Sequence, residues 1–297
     1  MQERQSVVDP IDDIIGKLES EDYIADSNIA TTLYMAQILE RPILIEGKAG
    51  VGKTEIANVM SRILDTKLIR LQCYDGLDVN TILYEWNYPK QLLRIKLGEN
   101  SDQGLYEREQ EIFSEAFLLK RPLLEALTQS NKAPVLLIDE VDRADEEFEA
   151  YLLETLSEFQ ITIPEIGTIS AIHKPLVILT SNRTRELSDA LRRRCLYLWI
   201  DYPDYEKELR IIRSKVEGVD YDFASQISYF IQKVREMDLE KTPGISETLD
   251  WASAMILLQF NSLDYNVVEK TLGVFIKDAD DIQKFRTEGI KAILSDI

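Results

Sequence analysis

The chain has 297 residues, 45% hydrophobic and 29% charged, with 12 Gly and 9 Pro, a globular composition with room for one large α/β domain and a smaller one. Its 34 basic and 53 acidic residues leave a formal net charge of −19, which argues against a general nucleic-acid binder, whose footprint is basic. No run approaches the roughly 20 apolar residues of a membrane span, and two cysteines with one histidine are too few for a disulfide framework or a metal cluster, so a cytoplasmic protein is expected, with reduced thiols at Cys73 and Cys195 and a surface imidazole at His173.

In chain order, the first strong signal is the apolar run Pro42 to Glu46, read as a strand. It is followed by Gly47-Lys48-Ala49-Gly50-Val51-Gly52-Lys53-Thr54 and a helix-like run from Glu55 to Leu64. A strand, a glycine loop and a helix start in that order make a phosphate cradle. The glycines let backbone N–H groups turn inward, Lys53 can reach the β- and γ-phosphates, and the Thr54 hydroxyl can ligate Mg²⁺. Leu68 to Gln72 is a second strand-like run. Asp75 to Gln110, with Tyr84, Trp86 and Tyr88 among Lys90, Arg94 and Lys96, is too long for a simple connection and reads as an insertion.

Val135 to Ile138 is a buried-strand run that ends in the carboxylates Asp139 and Glu140. Beside a phosphate cradle, Asp139 would hold Mg²⁺ and Glu140 would polarise an attacking water. Apolar positions at Phe148, Tyr151, Leu152, Leu156 and Phe159, after the acidic start Asp145-Glu146-Glu147, predict an amphipathic helix. Ile161 to Ile169 alternates around Pro164-Glu165-Ile166-Gly167, which predicts a β-hairpin. Leu176 to Leu179 is the next strand, and Thr180-Ser181-Asn182 follows, so Asn182 can point from a strand end towards the same crevice. Leu187 to Cys195 predicts a short helix closing on Arg192, Arg193 and Arg194, guanidiniums suited to stabilising charge on a neighbour's γ-phosphate.

Leu196 to Ile200 is the last strand. After Tyr202-Pro203-Asp204 only helical signals remain, interrupted at Pro243-Gly244. Strands alternating with helices imply an α/β fold with a parallel sheet. The boundary falls near Pro203, giving residues 1–203 as a nucleotide-binding domain, with an insertion near 75–110 and a hairpin near 160–173, and residues 204–297 as a helical one.

The order Gly-Lys-Ala-Gly-Val-Gly-Lys-Thr, Leu-Leu-Ile-Asp-Glu, Thr-Ser-Asn and Ala-Leu-Arg-Arg-Arg, followed by helices, resembles AAA+ ATPases. Asp139-Glu140-Val141-Asp142-Arg143-Ala144 and the hairpin before the sensor strand are similar to the MoxR branch. The segment Leu83-Tyr84-Glu85-Trp86-Asn87-Tyr88, together with Gly244 to Trp251, is similar to CoxD-like members. The resemblance implies a three-layer αβα P-loop NTPase domain with a five-stranded parallel sheet and a small all-α lid.

By the same resemblance, Gly47 to Thr54 and Asp139 bind ATP, and Thr54 and Asp139 bind Mg²⁺. Glu140 is the catalytic carboxylate, Asn182 the first sensor, and Arg193 and Arg194 the finger candidates. Gln72 lies where a polar residue can hold the catalytic glutamate inactive. The chain departs from the family's Gly-x-Ser-x-Arg at Gly244-Ile245-Ser246-Glu247-Thr248, where the second sensor arginine is replaced by Thr248. The implied function is a Mg-dependent ATPase, a homo-oligomer forming a hexameric ring in its family's manner, that remodels a protein client. A von Willebrand factor A-domain partner and a molybdenum-containing dehydrogenase as the matured enzyme come with the same resemblance. Two alternatives stand beside it: a nucleic-acid motor or restriction-type NTPase, and an ATP-dependent assembly scaffold.

Overall fold

The computed structural model describes residues 9–77, 82–97 and 110–295. The elements run α1 (Pro10–Ser20), α2 (Ser27–Leu39), β1 (Ile43–Gly47), α3 (Lys53–Ile63), β2 (Leu68–Gln72), β3 (Tyr84–Trp86) and α4 (Tyr88–Leu97). They continue with β4 (Leu118–Lys120), α5 (Pro122–Leu127), β5 (Val135–Asp139), α6 (Glu146–Glu158), β6 (Gln160–Ile163), β7 (Gly167–Ser170), β8 (Leu176–Ser181), α7 (Asp189–Arg194) and β9 (Leu196–Ile200). From there on there are helices: α8 (Tyr205–Lys215), α9 (Tyr221–Arg235), α10 (Ile245–Leu257), α11 (Tyr265–Phe275), α12 (Ala279–Lys284) and α13 (Ile290–Leu294).

The five long strands predicted from the sequence form one sheet in the order β2-β5-β8-β1-β9, with β1, β2, β5 and β8 paired in parallel. Every residue of β1 and β5 is buried, as expected of central strands covered on both faces. The edge strand β2 alternates instead, so that Arg70 and Gln72 are exposed between buried Ile69 and Leu71. Because the strands are parallel, Glu46, Asp139 and Ser181 all lie towards the same, carboxyl-terminal edge of the sheet. Ligands of open α/β sheets bind at that edge.

The hairpin is present as β6 and β7, with Gly167 at φ +98° where the turn rejoins the strand. The predicted insertion contains β3 and α4, with β3 paired antiparallel to β4 beyond the insertion's end, while residues 78–81 and 98–109 of it lie outside the described residues. Trp86 is buried, edge-on to Phe113 at 5.3 Å. Among the described residues of this segment, the large apolar groups that are exposed lie on α4: Tyr88, Leu92, Leu93, Ile95 and Leu97.

Packing divides the chain into two compact units. One takes Thr31–Glu46 and Ala57–Leu198, and the other takes the segment up to Ala30, Gly47–Ile56 and the chain from Trp199 onward. A few bonds hold the segments of the second unit together. Lys207 pairs with Asp26 at 2.6 Å, Arg210 with Glu19 at 2.6 Å, and the Ile245 amide donates to the Gly50 carbonyl at 2.8 Å.

The helical part of that unit has its own core, in which Phe230, Trp251, Phe275 and Phe285 meet at centroid distances of 4.5–6.2 Å. Part of the acidic surplus caps helices: Asp204, Asp220 and Asp264 each accept a backbone N–H from the first turn of α8, α9 and α11. Each such cap contributes about 1 kcal/mol.

A buried polar group also holds this core. Arg235 grips the Glu208 carboxylate in bidentate fashion, 2.8 Å from Nη1 and 2.7 Å from Nη2, with both side chains nearly sealed from solvent. Gln232 and Thr248 donate to the same carboxylate at 2.6 and 2.9 Å. Burial pushes the Glu208 carboxyl above its ordinary range, and the Arg235 guanidinium opposes that push. Glu208→Ala would strand a buried guanidinium and is expected to cost about 3–5 kcal/mol of stability, read as a drop in the urea midpoint. A change within about 0.5 kcal/mol would show that the pair contributes nothing to the core.

Candidate nucleotide site

The glycine loop is built by local geometry. Gly50 and Gly52 have φ of +73° and +88°, the left-handed region that side chains with a Cβ avoid, and this conformation turns the loop's N–H groups inward. A Cβ at Gly47 would meet the Ile200 carbonyl oxygen at 2.0 Å, so only glycine fits where β1 ends. Lys48, Ala49 and Val51 complete the turn, and Lys53 and Thr54 open α3, as the sequence predicts. Lys53 is buried, its ammonium donating to the Gly47 carbonyl at 2.9 Å and the Lys48 carbonyl at 2.6 Å. A positive charge beside a glycine loop at a helix start suits a polyphosphate, so the loop fits ATP on its own geometry.

This loop also touches α10 within the same unit. A Cβ on Gly244 would lie 2.7 Å from the Gly50 Cα, so the two backbones approach as closely as glycine allows. Glu247 closes the helix start by accepting from the Gly244 amide at 2.9 Å. Thr248, at the position of the missing sensor arginine, is fully buried against Glu208. Arg235 is no substitute for it. Its side chain is 6% exposed, and Nε, Nη1 and Nη2 are all spent on Pro243 and Glu208.

The carboxylate edge lies in the other unit. Asp139 ends β5 and is buried, and the Thr180 hydroxyl donates to its Oδ1. The same hydroxyl accepts from the Glu140 backbone amide at 2.9 Å, so one threonine on β8 holds the Asp139 carboxylate and the Glu140 backbone. Glu140 itself sits in the left-handed region, φ +54° and ψ +49°, an unusual conformation for a residue with a side chain and one that concentrates at functional sites. It takes Glu140 out of the strand direction and leaves its carboxylate about one third exposed, 3.0 Å from Arg143 Nε. The anticipated contact of Gln72 with Glu140 is not made. Gln72 instead accepts from Arg70 at 2.6 Å, because β2 is the sheet edge and its side chain follows the exposed face.

Asn182 follows directly on β8. Its amide and that of Thr184 donate to buried Asp142, at 3.2 and 2.7 Å to Oδ2, which fixes the loop that carries Asn182 to the turn after Glu140. The three arginines of α7 part ways. Arg192 lies 3.5 Å from Glu46 and over the Tyr197 ring. Arg194 donates to the Leu153 carbonyl at 2.9 Å. Arg193 is exposed, and among the described residues its side chain has no hydrogen bond or ion pair. Arg41 accounts for the end of the helix by donating to the backbone carbonyls of Arg193 and Arg194.

Three positioning residues were not singled out in the sequence: Thr180, Asp142 and Arg143. Each lies inside a quoted motif, but its task depends on which strand stands beside which. The cysteines are bland, as expected. Both are buried, and burial pushes each thiol up to about 12. His173 is exposed, with Nε2 3.3 Å from the Ser130 carbonyl oxygen. Among the described residues no cluster of His, Cys, Asp and Glu could hold a metal ion. Thr54 and Asp139 do offer the hard oxygen donors that Mg²⁺ takes alongside phosphate, and Asp139 already draws a cation, the Arg70 guanidinium at 2.5 Å.

A family model described as AAA domain (dynein-related subfamily) matches residues 42–195, more than half of the chain. The chain belongs to this AAA family. Membership places it among the AAA ATPases, which bind nucleotide through a P-loop. This AAA-domain protein is 28% identical to an uncharacterized protein of Staphylococcus aureus (strain bovine RF122 / ET3-1) over 215 residues, covering 70% of the chain and 73% of the relative. It is 27% identical to one of Staphylococcus haemolyticus over 231 residues, covering 76% and 78%. Among solved structures, a mutant of Thermotoga maritima RuvB superposes with a TM-score of 0.49 at 19% identity, covering 92% of this chain and 72% of that one. No helix among the described residues is long and apolar enough to cross a membrane.

Proposed function

We propose that this AAA ATPase hydrolyses ATP at a site shared between protomers of a ring, and that it uses the cycle to remodel a protein client in the manner of the MoxR branch. The observation that carries the reading is the contrast within α7: Arg192 and Arg194 are engaged by their own chain, while the exposed Arg193 guanidinium has no partner among the described residues. In an acidic chain an unpaired arginine beside two engaged ones suits a neighbour's γ-phosphate.

Within each protomer, Lys53 and the loop amides would hold the phosphates, and Thr54 and Asp139 would hold Mg²⁺. The metal supplies charge neutralisation on the phosphates when bound. Glu140 would accept the proton of the attacking water, and Asn182 would orient that water. The exposed apolar face of α4 is the surface this reading offers to a client. A von Willebrand factor A-domain partner and a molybdenum-enzyme client of the CoxD type follow from the same resemblance and are proposed with it.

The test is ATP turnover per protomer across a dilution series, with mass followed in parallel. Turnover is expected to collapse as the assembly dissociates. A rate per protomer that stays constant down to clear monomer would overturn the shared site.

A further inference from the structure

Arg70 has no role in the chemistry described so far, yet it occupies the carboxylate that chemistry depends on. It sits in the middle of edge strand β2, paired in register with Leu137, two residues before Asp139. From there its Nη2 reaches diagonally to Asp139 Oδ2 at 2.5 Å and to Gln72 Oε1 at 2.6 Å. Asp139 Oδ1 is taken by the Thr180 hydroxyl, so each of its oxygens has a donor. The two partners differ sharply in burial: the Asp139 side chain is 5% exposed and the Arg70 side chain 53%.

We propose that Arg70 is a displaceable place-holder cation, latched by Gln72, that occupies Asp139 Oδ2 until a divalent ion replaces it. The inference rests on the reading of Asp139 as a ligand of the nucleotide-bound metal. A divalent ion of the Mg²⁺ type needs its ligand oxygen at about 2.0–2.1 Å, and a guanidinium nitrogen at hydrogen-bonding distance from that oxygen competes with it for the same space and charge.

The buried carboxylate gains from a permanent partner, since an unpaired buried charge is costly. The partner itself must leave easily. Arg70 meets that requirement because it is half in water on a sheet edge, where an ion pair is weak and a released guanidinium is promptly hydrated. Gln72 aims the guanidinium at Asp139 by accepting from the same nitrogen, which gives this strand-end glutamine a task other than holding Glu140. The device makes divalent-ion binding depend on what the nucleotide adds, so that the nucleotide-free protein does not retain the ion.

Mn²⁺ is the probe. Its free concentration would be followed by electron paramagnetic resonance as it is titrated into the full chain, with and without a non-hydrolysable ATP analogue, so the readout does not depend on turnover. Arg70→Ala is expected to bind Mn²⁺ up to about five-fold more tightly than the unaltered chain in the presence of the analogue. Arg70→Gln, which removes the charge and keeps an amide, is expected to tighten binding likewise and serves if the alanine variant does not fold. Gln72→Ala is expected to shift binding in the same direction by less.

Unchanged or weaker Mn²⁺ binding in a folded Arg70 variant would overturn the place-holder. Asp139→Asn separates the two layers. If it abolishes tight Mn²⁺ binding while Arg70 variants gain nothing, the place-holder alone fails. If Asp139→Asn binds Mn²⁺ as the unaltered chain does, Asp139 is not the ligand and the place-holder falls with that reading.

Discussion

Glu140→Gln is expected to lower ATP turnover by about 10²- to 10⁴-fold, the range over which a positioned general base contributes, while ATP still binds. The substitution keeps the shape of the side chain and removes its negative charge, and with it the ability to take a proton and the ion pair to Arg143. What fixes the residue in place is its backbone: the left-handed conformation and the hydrogen bond its N–H donates to the Thr180 hydroxyl at 2.9 Å, neither of which involves the carboxylate. The loop amides and Lys53 are untouched, so the variant should hold ATP and fail to convert it. A rapid-quench single-turnover experiment with radiolabelled ATP reads both quantities, and turnover within a few-fold of the unaltered chain would remove Glu140 from its role. The trapped form has a second use. A client that stays attached to it, identified by mass spectrometry, separates a remodelling machine from a scaffold, which would function normally with Glu140→Gln.

Arg193→Ala is expected to have the larger effect, a loss of about 10³- to 10⁵-fold in turnover, as for guanidiniums supplied in trans to a phosphoryl transition state. Nucleotide affinity of the isolated protomer should be nearly unchanged, since Arg193 faces solvent in its own chain. Arg194→Ala is the internal comparison. That guanidinium holds the Leu153 carbonyl of α6, so its loss should act on local stability more than on chemistry. The decisive form of the experiment mixes two inactive proteins. A ring containing Arg193→Ala and Glu140→Gln protomers regains turnover at each interface where an intact Glu140 meets an intact Arg193. Mixtures that assemble and stay inactive would place Arg193 outside the neighbour's site.

Much of this site was legible before any fold was known, for a physical reason. The glycine loop, the Asp139-Glu140 pair and Asn182 are each read from contiguous residues at the end of an apolar run, and burial of both faces makes such runs conspicuous in β1 and β5. The hairpin at Ile161 to Ile169 and the amphipathic helix after Asp145 were equally local, the one through alternation and the other through three- and four-residue spacing. The alternating strand β2 was legible as a strand. On its exposed face Gln72 suggested a contact with Glu140 by position alone, and Arg70 carried no local signal of its partner.

Composition, motif order and periodicity by themselves determined an α/β P-loop protein with a helical C-terminal part, and named the residues proposed to carry phosphate chemistry. Only the tertiary structure decided which neighbours those residues answer to. Thr180 reaches Asp139 across 41 positions of chain and Arg70 reaches it across 69, distances that no local pattern encodes because parallel strands are joined by long crossovers. The same holds for the three arginines, identical in sequence and told apart only by Glu46, the Leu153 carbonyl and open solvent. It holds also for Arg235, whose charge is spent on the buried Glu208, since an unpaired charge in that core would be costly.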